Sequence, residues 1–354
     1  MTDPTQSLGL TPVEDSGVVV HIGVHKTGTT SLQHALANAH SQLVAADVIE
    51  RSRWNRRSLM AMFLTNSPQW RSARADINAH RGRVVVSHES LCEASPDQAR
   101  DFLSQVAGKR PVTVLVTVRS LAALLPSTWQ QLLKKGLSAS YDEFLQQALS
   151  NVGDPSVVFW RRNDYSALVQ RWAALVGMDR VVVAVSEKEF PERNLRVIEE
   201  LCQVPSGTLT LEGVARTNSS MSFPEAEFLR AINAAVADLP KAQYKQIIRM
   251  GAVPRLRSFD PDPERIPLPR WAADAAAEQG HRQAAQLTAS GVTIVGDIER
   301  IADAPSDAPE VVVPPSGIDL TAAAGAVVGT LQAALQEAPA PDQAPAKRRF
   351  SRGR

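Results

Sequence analysis

Val18-Val19-Val20-His21-Ile22-Gly23-Val24-His25-Lys26-Thr27-Gly28-Thr29-Thr30-Ser31 is the stretch from which the fold can be read. Four of its first six residues, Val18, Val19, Val20 and Ile22, are β-branched and apolar, the composition of a buried strand. A loop with glycines at both ends follows, and then a helical stretch from Thr29 to about His40. Strand, tight loop and helix in that order open a parallel α/β fold. The turn between them is where α/β proteins hold anions, because successive backbone amides converge there and the helix dipole adds positive potential. Gly23 and Gly28 permit the tight turn and a close approach of the backbone to a ligand. The spacing is that of a nucleotide-binding G-x-x-x-x-G loop, but the lysine stands out of place. In a nucleoside triphosphatase the lysine follows the second glycine and precedes the hydroxyl that ligates magnesium. Lys26 precedes Gly28 instead, an arrangement suited to cradling a phosphate that is not hydrolysed, with a cation beside the group being moved.

Working outward, Arg83-Val84-Val85-Val86-Ser87 and Val112-Thr113-Val114-Leu115-Val116-Thr117-Val118 read as further strands covered on both faces. Arg180-Val181-Val182-Val183-Ala184-Val185 is a fourth, and Val292-Thr293-Ile294-Val295 gives a weaker strand signal. Helices are expected between them: Thr128 to Lys135 before Gly136, Tyr165 to Val176 between the cap Asp164 and Gly177, and Asn194 to Cys202. The alternation predicts a P-loop-like, doubly wound parallel sheet flanked by helices, with a mostly helical C-terminal portion. The expected organisation is a flexible leader over 1–16, an α/β domain over 17–302, a Pro/Ala-rich linker over 303–317, a helix over 318–337 and a disordered basic tail over 338–354. No internal repeat is present.

The 354 residues are 44% hydrophobic and 21% charged with a formal net charge of +1, so no global field favours nucleic acid and any basic site must be local. Cys92 and Cys202 are too few for a disulfide framework and lack metal-ligand spacing. The first residues hold acids and prolines where a secretory signal would hold bases and an apolar run, and no apolar stretch is long enough to span a bilayer. A soluble, cytoplasmic protein is the expectation.

Here the chain resembles a known family. His25-Lys26-Thr27-Gly28-Thr29-Thr30-Ser31 looks like the 5′-phosphosulfate-binding loop of sulfotransferases that use 3′-phosphoadenosine-5′-phosphosulfate, PAPS. A second motif matches at the end of another strand, where Arg119 is followed eight residues later by Ser127. In that family an arginine and a serine so spaced bind the 3′-phosphate, and an arginine fork with a serine hydroxyl near a helix start is sound chemistry for it. Looser similarity to bacterial members runs through Asp164-Tyr165, Arg171-Trp172-Ala173, Gly177 and Val181. The resemblance implies an in-line sulfuryl transfer without a metal, in which Lys26 donates to the leaving group and the amides of Thr27 to Thr30 hold the 5′-phosphate. It also implies a base at the end of the second of these strands, Glu89 or His88, with Glu89 favoured because carbohydrate-acting relatives use a glutamate there.

Two departures stand out. The cytosolic small-molecule branch has an adenine-stacking aromatic where this chain has Ser31, and its late basic loop has only Arg216-Thr217-Asn218-Ser219-Ser220 as a counterpart. The cluster Arg51, Arg53, Arg56 and Arg57 around Trp54 reads as a solvated face, or as a meeting point for an anionic or glycan acceptor. The acceptor is a small molecule, a glycan or a lipid headgroup, and no nucleic-acid partner is expected. The rival readings are a P-loop kinase, which predicts magnesium-dependent ATP binding, and an inactive relative that binds the nucleotide without transfer.

Overall fold

The computed structural model describes residues 7–52, 59–213, 220–256 and 264–337. The chain divides into two units: residues 1–128, 141–217 and 267–312 form the first, and 129–140, 218–266 and 313–354 the second. The cluster Arg53, Trp54, Arg56 and Arg57, most of the loop Arg216–Ser220, and the tail over 338–354 lie outside the described residues.

The first unit is built on six parallel strands, β1 (Val18–Gly23), β2 (Val48–Arg51), β3 (Arg83–Ser87), β4 (Val112–Val118), β5 (Val181–Val185) and β6 (Thr293–Val295). They lie in the order β2-β3-β1-β4-β5-β6, so the expected α/β class and doubly wound parallel sheet are found. Every residue of β1, β3, β4 and β5 is buried, as valine-rich strands sandwiched between helices must be. β2 has no counterpart in the sequence reading. It is a four-residue edge strand, Val-Ile-Glu-Arg, with only Val48 fully buried, and so lacks the continuous apolar run that marks the others.

The strand order also places the site. The chain leaves β1 toward β2 on one side and leaves β4 toward β5 on the other, although β1 and β4 are neighbours with Gly23 paired to Thr117. Divergent connections of this kind open a crevice at the carboxyl ends of the two strands. The loop 24–28 follows one of them and Arg119 the other.

The leading segment is held from Ser7 onward. Glu200 accepts hydrogen bonds from the amides of Leu8 and Leu10, both at 2.7 Å, and from the Ser7 hydroxyl at 2.9 Å. Leu10 and Val13 join the core beside Leu201 and Cys202, which explains why a stretch without regular structure stays anchored. At the other end of the unit, residues 303–312 include the buried Ala308, and Arg270 donates its amide to Pro309 O at 2.8 Å.

The second unit is helical. Ser222 and Glu225 close a capping box on Phe223–Ala235, with Pro224 in the first turn where its missing amide costs nothing. Tyr244–Ala252 is a π-helix, and Tyr244 Oη lies 3.0 Å from Leu133 O and 2.8 Å from Asn233 Oδ1. The helix Leu320–Glu337 belongs to the same unit.

Candidate anion site at the carboxyl edge of the sheet

The loop after β1 is fastened by its carbonyls. Val24 O accepts from Thr27 Oγ1 at 2.7 Å, Lys26 O from Arg119 Nη1 at 3.1 Å, and Thr27 O from Ser186 Oγ at 3.0 Å and Asn194 Nδ2 at 3.1 Å. In a planar trans peptide the N–H points opposite to the C=O, so tying the Thr27 carbonyl to the protein turns the Gly28 amide outward. The helix then begins at Thr29 with Gly28 as its N-cap, no side-chain cap and no acid in the first turn. Its leading amides have no partner within the helix. Oriented amides and an uncapped helix start favour an anion at this point.

Two backbone features make the loop possible. Gly28 sits at φ +85°, which an L side chain resists, and Gly23 has no room for a Cβ, which would collide with Thr29 Oγ1. Lys26 is itself at φ +72°, left-handed for a non-glycine residue and costing about 1 kcal/mol. Such outliers gather at functional sites, where the surroundings enforce them. Thr29 Oγ1 and Asn194 Oδ1 are buried beside the loop with no hydrogen-bond partner among the described residues, as expected of groups that serve a ligand or ordered water.

Beneath the loop a chain of polar groups crosses three strands. His21 Nδ1 lies 2.8 Å from Ser87 Oγ on β3, His21 Nε2 lies 3.2 Å from Thr117 Oγ1 on β4, and Thr117 Oγ1 lies 2.7 Å from Thr27 Oγ1 in the loop. Burial holds the His21 imidazole neutral, lowering its pKa from 6.5 to about 3. Between those two values the unfolded chain takes up a proton that the folded chain refuses. Stability is therefore complete above the unfolded value and is lost as the pH falls toward the folded one, by about 1.4 kcal/mol per unit. Denaturant unfolding at pH 6.5 and at pH 5 should show the wild type losing about 2 kcal/mol more than His21→Gln, which cannot titrate. Equal losses would mean that His21 carries a proton in the folded state.

Arg119 is thus brought directly to the loop. Its own carbonyl accepts from Tyr165 Oη at 2.6 Å, which fixes the start of the following segment. Ser127 lies in the helix Leu121–Leu133, its hydroxyl within 3.1 Å of Ala123 O and 3.2 Å of Leu124 O, and among the described residues its hydroxyl bonds stay within its own helix. At the end of β3, His88 is buried and its Nδ1 accepts from the Ser90 amide at 2.9 Å, capping the short turn Glu89–Glu93. Glu89 is one-third exposed, with a carboxylate oxygen 3.8 Å from His88 Nδ1. His25 Nε2 lies 3.3 Å from Glu93 Oε1, at the other end of the same turn, and Glu93 is also held by the buried Arg162 at 3.0 Å. Thr30 and Ser31 stand in the first turn of the helix.

A solved structure resembles this chain. The crystal structure of a sulfotransferase from Alicyclobacillus acidocaldarius is 19% identical over a match covering 64% of this chain and 94% of that one, with a TM-score of 0.34. No family model and no curated protein matches. What the loop can do is therefore read from its own atoms.

Sequence reasoning missed His21, Thr117, Ser186, Asn194 and Glu93. Each acts through a partner far along the chain, and a neutral buried histidine or a lone asparagine carries no local signature. Both cysteines are buried thiols, Cys202 pushed up to about 12 by burial and Cys92 likewise raised, so neither is a nucleophile at neutral pH. Among the described residues no three His, Cys, Asp or Glu side chains gather as a metal site, and no helix is long and apolar enough to cross a membrane.

Proposed function

We propose that this chain is a sulfotransferase moving a sulfuryl group from PAPS to a hydroxyl or amine of a carbohydrate, lipid or small metabolite. The observation that carries the reading is the direct link between two cationic elements of different strands: Arg119, at the end of β4, reaches the backbone of Lys26 in the loop after β1. A nucleotide phosphorylated at both its 3′ and 5′ positions calls for cationic groups at two anion sites, and the ends of these two neighbouring strands each offer one, Lys26 after β1 and Arg119 after β4.

PAPS supplies the activated sulfuryl group and an adenosine 3′,5′-bisphosphate leaving group. The amides of Gly28, Thr29 and Thr30 hold the 5′-phosphate, helped by the buried Thr29 hydroxyl, while Thr27 braces the loop from below. Lys26 stands beside the transferred group and offsets the charge that builds on the leaving oxygen. Arg119 takes the 3′-phosphate, with Ser127 as a second donor once its hydroxyl turns from its own helix. Glu89, partly open to solvent at the end of β3, removes the acceptor proton; His88 is the second candidate, although its Nδ1 is engaged by Ser90. His25 orients the loop through Glu93, and Ser31 completes the helix start.

The test compares thermal shifts. Adenosine 3′,5′-bisphosphate at a hundred times its dissociation constant should stabilise the protein by about 2.7 kcal/mol, a rise of several degrees, and ATP with magnesium should give far less. Stronger stabilisation by ATP with magnesium would turn the assignment to a P-loop kinase. Tight bisphosphate binding with no conversion of PAPS would mark an inactive relative.

A further inference from the structure

Lys26 is held in its left-handed conformation from both sides. Asp47 and Asn66 also have positive φ, but they are residue types that visit this region, whereas a lysine at +72° needs its surroundings to enforce it. On one side the Lys26 carbonyl accepts from Arg119 Nη1 at 3.1 Å, and the Arg119 carbonyl in turn accepts from Tyr165 Oη at 2.6 Å. On the other side the preceding residue, His25, places Nε2 3.3 Å from Glu93 Oε1, the same oxygen that accepts from Arg162 Nε at 3.0 Å. Both arms end at one place. Arg162 lies in the last turn of the helix Val158–Asn163, and Tyr165 is the first residue of the helix Tyr165–Val176.

The corner between those helices is pinned on both flanks. Asp164 accepts from the Ala167 amide at 3.0 Å and so caps the second helix. Gln283, on the helix Arg270–Ala289, accepts from the Tyr165 amide at 2.7 Å and donates to Asn163 O at 3.2 Å. Arg162, Asn163, Tyr165 and Gln283 are all buried. We propose that this corner is the positioning element for Lys26. Tyr165 acting through Arg119, and Arg162 acting through Glu93 and His25, close a ring of contacts that keeps Lys26 left-handed and its ammonium group beside the group being moved. A cation that stabilises developing charge works best when it is already in place, and side chains locked by a buried support keep it there. Tyr165, Glu93 and Arg162 are thus positioning residues, each acting through another group. This role rests on the sulfotransferase reading, while the ring itself stands on its own contacts.

The experiment follows PAPS hydrolysis at saturating PAPS, and hydrogen exchange, in variants of the full chain. Tyr165→Phe keeps the buried ring and removes only the hydroxyl that reaches Arg119, and Glu93→Ala cuts the other arm. Each should slow hydrolysis about tenfold, since displacing a reacting group by about 1 Å can cost up to about a hundredfold. In a Lys26→Ala background the same changes should cost less than about twofold more, because the residue they position is gone. A merely structural role would carry the tenfold loss into both backgrounds. Should Glu93→Ala misfold by leaving the buried Arg162 unpaired, His25→Ala cuts the same arm with the Glu93–Arg162 pair intact. Hydrogen exchange needs no substrate: the amides of residues 24–28 should exchange at least about fivefold faster in each variant while β1 and β4 stay protected. Equal losses in both backgrounds, no loss in Tyr165→Phe, or unchanged exchange over 24–28 would overturn the proposal. A wild type that converts no PAPS, or a Lys26→Ala variant at the normal rate, would overturn the sulfotransferase reading instead, and exchange alone then decides whether the ring holds the loop.

Discussion

Lys26→Ala should slow the conversion of PAPS to adenosine 3′,5′-bisphosphate by about a hundred- to a thousandfold, the loss usually seen when one preorganised donor to a developing negative charge is removed. Water serves as the acceptor in this measurement, so no knowledge of the natural acceptor is needed. Bisphosphate affinity should change by less than about tenfold, because the 5′-phosphate is held mainly by the amides of Gly28, Thr29 and Thr30. Alanine is no worse than lysine at the left-handed φ of +72°, so the variant keeps the loop geometry and isolates the ammonium group. Near-normal conversion in Lys26→Ala would remove Lys26 from the reaction.

Arg119→Ala should weaken adenosine 3′,5′-bisphosphate about a hundredfold, through loss of a charge-assisted fork on the 3′-phosphate. Arg119 also fastens the loop through Lys26 O at 3.1 Å, so a second ligand is needed to separate the two roles. Adenosine 5′-monophosphate has no 3′-phosphate, and its affinity should fall by less than about tenfold in the same variant. Arg119→Lys should recover only part of the loss, because an ammonium group cannot present two parallel donors. An equal loss of both nucleotides would reduce Arg119 to a brace for the loop and leave the 3′-phosphate site without its principal cation.

The parts of this fold that can be read from sequence are those whose chemistry is local. β1, β3, β4 and β5 announce themselves because a strand buried on both faces must be apolar throughout. β2 does not, since an edge strand with one fully buried residue has no such obligation. The helix expected over Thr128 to Lys135 runs instead from Leu121 to Leu133 and carries Pro126 in its interior, where a proline ordinarily breaks a helix. The π-helix Tyr244–Ala252 was legible only as helix, as its wider turn leaves no pattern of its own. At the site, the loop and the nearness of Arg119 followed from strand ends. The groups that hold the loop did not: Asn194 reaches Thr27 O from 167 residues away, and Ser87 meets His21 across 66. Only folding makes such pairs neighbours.

The crowding of Gly23 against Thr29 has a consequence for how this chain can drift over generations. A side chain at position 23 would occupy the space that the Thr29 hydroxyl already fills, so position 23 cannot be enlarged while that hydroxyl is in place. Enlarging the first demands shrinking the second in the same step, and that exchange surrenders a hydroxyl at the mouth of the helix. Descendants with a larger residue at position 23 should always have lost the hydroxyl at position 29, a one-sided dependence that a survey of natural variants would reveal.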